Sequence, residues 1–314
     1  MTNIQKCGVI GAGFVGATCA YTLAVSGLFS DLVLVDMNRD KAIGEAADIN
    51  HGVAFSKPCR VMAGDYADLA ECGLIIIAAG ATQKPGESRL ELLGRNKGIL
   101  SSIIAQLTAV NREAILLVVS NPVDVLTCLA QQLSGFPAGR VLGSGTVLDT
   151  ARLKYLLGQR LGVDSRNVHA FIIGEHGDSE LAVWSSANIS GADLDDYCRI
   201  AGITKPADEL SRIYEHVRDA AYQIIDSKGA TYYGIGMAVR RIAEAIVRNE
   251  HSVLPVTSMI YGHYGVDGIC LGVPAIVRRN GAEAVLDIPL SEEELAQLQR
   301  SANTMREMID KLDG

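Results

Sequence analysis

The 314-residue sequence predicts an α/β fold, with a doubly wound parallel sheet followed by an α+β region. Three observations carry that prediction. Short apolar runs alternate with helical segments through the first half. A glycine turn, Gly11-Ala12-Gly13-Phe14-Val15-Gly16, joins the first apolar run to the first helical segment. After about Gly145 the alternation gives way to longer helices and a pair of extended runs. Unbroken apolar strands between helices belong to a parallel sheet covered on both faces, because a half-wet strand would alternate apolar and polar residues.

In chain order, residues 7–10 read as a strand and 14–26 as a helix. Residues 32–35 form the second strand, and a helix follows across 40–50. Further buried strands fit at 60–62, 74–78 and 115–119. A long helix fits 147–161, followed by the strand Ala170-Phe171-Ile172-Ile173. Helices fit 206–226 and 232–249. The runs at 253–261 and 269–277 read as an antiparallel hairpin, and a charged amphipathic helix covers 291–312. There is no internal repeat and no long linker. The expected division is therefore residues 1–145 and 146–314, packed tightly around a cleft.

Composition removes several function classes. The formal charge of -8 opposes nucleic-acid binding, which needs a basic face. The apolar run at 74–79 is far shorter than the roughly 20 residues that span a bilayer. The sequence enters a strand almost at once, without a signal-peptide pattern, so a cytoplasmic location is expected. Seven scattered cysteines with no C-x-x-C pair read as reduced thiols. The six histidines show no H-E-x-x-H or similar spacing, so no metal is expected.

The glycine turn lies where a strand opens into a helix, the context that gives such a motif meaning. Its first glycine permits the tight turn, its second admits a pyrophosphate to the backbone, and its third lets helix and strand pack closely. The phosphates then lie at the positive end of the helix. Asp36 closes the second strand, twenty residues beyond Gly16. An acid there accepts hydrogen bonds from ribose hydroxyls and repels a 2′-phosphate, which favours NAD over NADP. FAD stays open for the motif alone. The sheet is thus expected to be of the Rossmann type.

A second constellation lies at Ile173-Gly174-Glu175-His176-Gly177-Asp178. One histidine, flanked by glycines and acids, stands at the end of an apolar strand. Histidine is the side chain best suited to moving a proton near neutral pH. Asp149 and Arg152 are three residues apart on a predicted helix, so both can face one cleft. Arg89 follows Pro85-Gly86 in a polar segment with the composition of a lid.

These motifs, with Gln83-Lys84-Pro85-Gly86-Glu87-Ser88-Arg89, Ser120-Asn121-Pro122-Val123-Asp124, residues 145–152 and Lys228-Gly229-Ala230-Thr231, occur in an order that resembles the L-lactate/malate dehydrogenase family, and within it the bacterial L-lactate dehydrogenases. The resemblance runs from the glycine turn to the last helix. It implies reversible reduction of pyruvate to L-lactate with hydride from NADH, at the fermentative end of glycolysis, in a homotetramer. His176 is then the acid/base and Asp149 its charged partner. Arg152 binds the substrate carboxylate through a two-bond fork that lysine lacks. Arg89 swings in to polarise the carbonyl, and Asn121 contacts both substrate and cofactor. The implied cofactor contacts are Gly11, Gly13, Val15, Gly16, Asp36, Lys41, Tyr66, Gly80, Ala81, Ser102, Val119, Asn121 and Ser144.

Within the resemblance, Gln83 is the main discriminator of substrate. In malate dehydrogenases an arginine there pairs with the second carboxylate of oxaloacetate. A neutral glutamine leaves that carboxylate unpaired at a cost of several kcal/mol. Thr231 matches a threonine that, in lactate dehydrogenases, lines the same pocket and limits its size. Both favour pyruvate, with an L-2-hydroxyisocaproate-type or malate dehydrogenase as the alternatives. A flavoprotein would not need the Asp149, Arg152 and His176 set, and a non-enzymatic NAD-binding protein would have lost it. Many bacterial members bind fructose 1,6-bisphosphate between subunits. Here His169 is kept at that position but Lys154 replaces an arginine, so weak or absent activation is expected.

Overall fold

The computed structural model describes residues 2–81, 89–204 and 208–313. Gln83 and the side chain of Arg89 lie outside the described residues.

The first half follows the predicted alternation. Strand β1 (Asn3–Ile10) leads through the glycine turn into helix α1 (Phe14–Ser26), then β2 (Asp31–Val35), α2 (Arg39–Val53), β3 (Arg60–Ala63) and β4 (Cys72–Ile77). Helix α2 starts where the Asn38 side chain accepts the Lys41 N–H at 3.1 Å, just before the predicted start. Helices α3 (Arg89–Val110) and α4 (Val123–Ser134) flank β5 (Ile115–Val118), and β6 (Val141–Gly143) ends the parallel strands. The sequence pattern does not place α3, α4 or β6.

The second half brings α5 (Val147–Leu161), β7 (Val168–Ile173), β8 (Leu181–Ile189), β9 (Ala192–Asp193), α6 (Leu194–Ala201), α7 (Glu209–Lys228) and α8 (Tyr233–Val247). The hairpin β10 (Ser252–Tyr261) and β11 (Asp267–Arg278) is antiparallel as expected. Strand β12 (Gly281–Val285) and helix α9 (Glu292–Asp313) follow.

Among the described residues the main sheet has the order β12-β11-β10-β6-β5-β4-β1-β2-β3. Its parallel part reverses direction of growth between β1 and β4, the point where doubly wound sheets open a crevice. The C-terminal hairpin joins this sheet through Thr257 opposite Gly143. The sheet therefore runs across the expected division at residue 145. A separate three-stranded sheet, β7-β8-β9, packs with α5, α6 and α7.

Period-2 alternation sends the strand side chains to two cores. Val33, Ile75, Ile77, Leu116 and Val118 pack with Ile103 and Ile104 of α3 and with Leu298 and Met305 of α9. Leu32, Leu34, Leu74, Ile76 and Leu117 face Leu23 of α1, Ile49 of α2 and Ile242 of α8. Burying each such side chain contributes about 1.5–3 kcal/mol. Helix α5 carries Leu153, Leu157 and Leu161 into a third, smaller core with Val168 and Ile172.

Candidate active site

The parallel registers align Ile10, Val35, Ile77, Val118 and Gly143 in one row at the carboxyl ends of their strands. The next residues, Gly11, Asp36, Ala78, Val119 and Ser144, therefore form one edge of the crevice. Backbone bonds close it: Gly11 N–H to Val35 at 2.7 Å, Val119 N–H to Ile77 at 2.9 Å and Ser144 N–H to Val118 at 2.9 Å. Tyr66 follows β3, Gly80 and Ala81 follow β4, and Asn121 follows β5. Most of the expected cofactor contacts thus share one rim. Lys41 is exposed on α2, and exposed Ser102 on α3 accepts from Gln106.

The three glycines of the turn have separate physical reasons. Gly11 has φ +100°, and a Cβ there would meet the Ala79 backbone at 2.6 Å. A Cβ on Gly16 would collide with the Gly11 carbonyl oxygen, so the helix packs against the turn only without it. A Cβ on Gly13 would meet nothing within 4 Å. That open face lies at the start of α1, which has no side-chain cap and no acid in its first turn. The free backbone and helix end suit a pyrophosphate. Asp36 accepts from Ala12 N–H at 2.6 Å and from Asn38 N–H at 2.8 Å, which fixes its carboxylate beside the turn. Arg39, the nearest guanidinium in sequence, is held by both carboxylate oxygens of Asp65. The donor set fits a dinucleotide without a 2′-phosphate.

Helix α5 and the loop after β7 bring together His176, Asp149 and Arg152, the residues expected to move the proton and bind the carboxylate. His176 Nδ1 lies 2.6 Å from Asp149 Oδ2, and Arg152 Nη1 donates to Asp149 Oδ1 at 2.8 Å. Asp149 is buried, whereas the His176 side chain keeps 24% of its exposure. The Asp149 charge, against the effect of burial, raises the imidazole pKa to about 9. Burial alone would push the Asp149 carboxyl up, but His176 and Arg152 outweigh it and hold it low. The result is an ion pair at neutral pH with one ring nitrogen fixed on Asp149.

The loop that carries His176 is anchored from four sides. Thr146 and Thr150 of the α5 region bond the Ile172 backbone, and Gly174 pairs with Gly272 of β11. Ser301 of α9 accepts the Glu175 N–H at 2.8 Å. Asp124 of α4 accepts the His176 N–H at 2.7 Å and the Thr257 hydroxyl at 2.6 Å. Burial raises the Asp124 pKa to about 6, opposed by these two donors. Sequence reasoning places Asp124 within a motif but gives it no role, because its partners are far away in the chain. It also misses Asn96, whose side chain bonds Ala81 N–H and the Asn121 carbonyl and so clamps two rim segments.

Thr231 is half-buried between α7 and α8. Its neighbour Tyr232 stacks on Phe14 at 5.4 Å, which docks this segment beside the glycine turn. His169 is exposed on β7, while Lys154 is half-buried on α5 with its pKa lowered by burial. Among the described residues, Asp149, His176 and Glu180 are the acids and histidine that bring ligand-type atoms within 4.8 Å of one another. The Asp149–His176 ion pair already engages two of them.

Residues 5–143 match the family described as lactate/malate dehydrogenase, NAD binding domain, and residues 146–313 match its alpha/beta C-terminal domain. The chain belongs to the lactate/malate dehydrogenase family. Its relatives include the L-lactate dehydrogenase of Acetivibrio thermocellus, 53% identical over 99% of this chain and 98% of that protein. The L-lactate dehydrogenase of Thermoanaerobacter pseudethanolicus is also 53% identical, over 99% of this chain and 100% of that protein. Among solved structures, a lactate dehydrogenase from a Medee basin deep-sea metagenome library superposes with a TM-score of 0.96 at 45% identity, covering 100% of both chains. The minor L-lactate dehydrogenase of Enterococcus mundtii gives 0.95 at 41% identity and 98% coverage of each. Family membership agrees with the NAD fit of the glycine turn and with the α/β fold read from sequence. Among the described residues, no helix is long and apolar enough to cross a membrane.

Proposed function

We propose that this dehydrogenase reversibly reduces pyruvate to L-lactate with NADH. The observation that carries the reading is the hydrogen-bonded series Arg152–Asp149–His176. When bound along the rim from Gly11 to Ser144, NADH supplies hydride to the carbonyl carbon. His176, charged at neutral pH, gives the proton at its other ring nitrogen to the carbonyl oxygen. Asp149 fixes the ring and stabilises its charged form. Arg152, with one N–H on Asp149, offers its remaining donors to the substrate carboxylate as a planar fork. Arg89 polarises the carbonyl, Asn121 touches substrate and cofactor, and Thr231 bounds the pocket.

The substrate preference rests on Gln83, a neutral residue where a malate enzyme needs a cation. The division into a cofactor lobe (1–145) and a substrate lobe (146–314) is read functionally: His176, Asp149 and Arg152 come from the second, and the rim from the first. A cytoplasmic homotetramer with weak or no bisphosphate activation through Lys154 and His169 completes the reading.

The test is kcat/KM for pyruvate against oxaloacetate, in the chain as it stands and in Gln83→Arg. A ratio well above one that falls by about a hundredfold or more in the variant is expected, since a paired buried charge is worth several kcal/mol. A ratio below one in the unaltered chain would replace this reading with malate.

A further inference from the structure

Glu180 stands directly before β8 and is 5% exposed. Its Oε1 has no hydrogen-bond partner among the described residues. Its carboxyl lies within the same 4.8 Å cluster as His176 and Asp149. The groups that face it are Asp149 and Arg152 from α5, His176 from the loop after β7, and Arg218 and Tyr214 from α7. Arg218 is engaged by Asp219 at 2.9 Å, and the Tyr214 hydroxyl donates to the Glu180 backbone carbonyl.

An ionised carboxylate in this position would be buried, close to a second carboxylate, and with its Oε1 left without a donor. Such a group stays protonated rather than charged. We propose that Glu180 is a positioning residue of the reaction, a buried acid kept uncharged so that the site retains its positive charge for the incoming carboxylate. With Glu180 neutral, Asp149, His176 and Arg152 sum to one positive charge, which the carboxylate of a 2-oxo acid neutralises. With Glu180 ionised, its charge cancels that sum, and these four groups no longer favour the incoming carboxylate. The effect acts through charge and needs no contact with substrate. Burial and then the Asp149 charge hold the Glu180 pKa at about 9, against the pull of His176, Arg152 and Arg218.

Glu180 and His176 then titrate as a pair, and both protons must be present for pyruvate reduction. This inference rests on the proposed role of His176, so the test has two arms. The first is spectroscopic: a protonated-carboxyl C=O stretch in the infrared spectrum of the unaltered enzyme at pH 8, absent from Glu180→Gln. The second is kinetic, with each enzyme normalised to its own maximum. Above pH 9, kcat/KM for pyruvate is expected to fall more steeply than one ionisation allows, towards about a hundredfold per pH unit, but only about tenfold per unit in Glu180→Gln.

If the infrared band is missing, or if the two alkaline limbs superimpose, the proposal is overturned. If the band is present but neither enzyme has an alkaline limb, the assignment of His176 is at fault instead, and the inference falls with it. Should the variant not fold, the band of the unaltered enzyme decides: it must persist at pH 8 and disappear as pH rises through about 9.

Discussion

At the scale of single residues, the site works by setting charge against burial. His176 is charged at neutral pH because Asp149 is 2.6 Å away, and Asp149 stays ionised although buried because His176 and Arg152 share its oxygens. Replacing His176 with glutamine is expected to lower kcat for pyruvate by about a hundredfold to ten-thousandfold, the usual contribution of a placed general acid. Steady-state kinetics at saturating NADH checks this. The pair also links stability to pH. The folded His176 pKa of about 9 exceeds its ordinary value of 6.5, so the contribution is complete below 6.5 and disappears as pH rises through 9. Melting curves should show the advantage of the unaltered chain over His176→Gln shrinking across that window; a constant difference would refute the linkage. The setting of the histidine and the spacing of Asp149 and Arg152 were legible because glycine flanks and helical spacing are local signals, whereas the pairing of His176 with Asp149 came from the family resemblance. Asp124 and Glu180 were not, because their importance comes from burial and from partners on distant elements.

At the scale of elements, the turn from β1 to α1 shows why three glycines are not equivalent. Gly16→Ala drives a Cβ into the Gly11 carbonyl and is expected to destabilise the fold by about 1–3 kcal/mol, as overpacked sites do. Gly13 has an extended backbone that alanine adopts and open space around its Cβ direction. Gly13→Ala should therefore change stability by no more than about 0.5 kcal/mol. It should nevertheless weaken NADH binding about tenfold, or about 1.4 kcal/mol, because the methyl occupies the approach of the pyrophosphate. Chemical denaturation and fluorescence titration separate the two variants. Loss of stability in Gly13→Ala with unchanged NADH affinity would contradict this assignment. Many strands and helices were readable to within a few residues, but helices α3, α4 and α6 were not placed. Strands β6 and β9 were not, since three and two residues carry no period, and β8 alternates on a small sheet that the sequence does not announce.

At the scale of the whole molecule, the decisive feature is that the long sheet crosses the division at residue 145. Thr257 on β10 pairs with Gly143 and bonds Asp124, which in turn holds the His176 backbone. The two halves share cores on both faces of that sheet. Calorimetry should therefore record one cooperative transition, raised by about 2.7 kcal/mol of stability when NADH is present at a hundred times its Kd. Two resolved transitions would mean that the halves unfold independently. The hairpin was legible as a hairpin, but its place in the sheet was not. Which strand a hairpin joins depends on long-range pairing, and a single sequence carries no signal for it.

The measurement that bears most directly on the proton-transfer pair is the pH dependence of kcat/KM for pyruvate in the unaltered enzyme and in Asp149→Asn. The unaltered enzyme should hold its rate until pH approaches about 9, and the variant should lose it from a lower pH, near the ordinary histidine value of 6.5. An alkaline limb that stays in place when the Asp149 charge is removed would contradict the assignment of His176 and Asp149 as that pair.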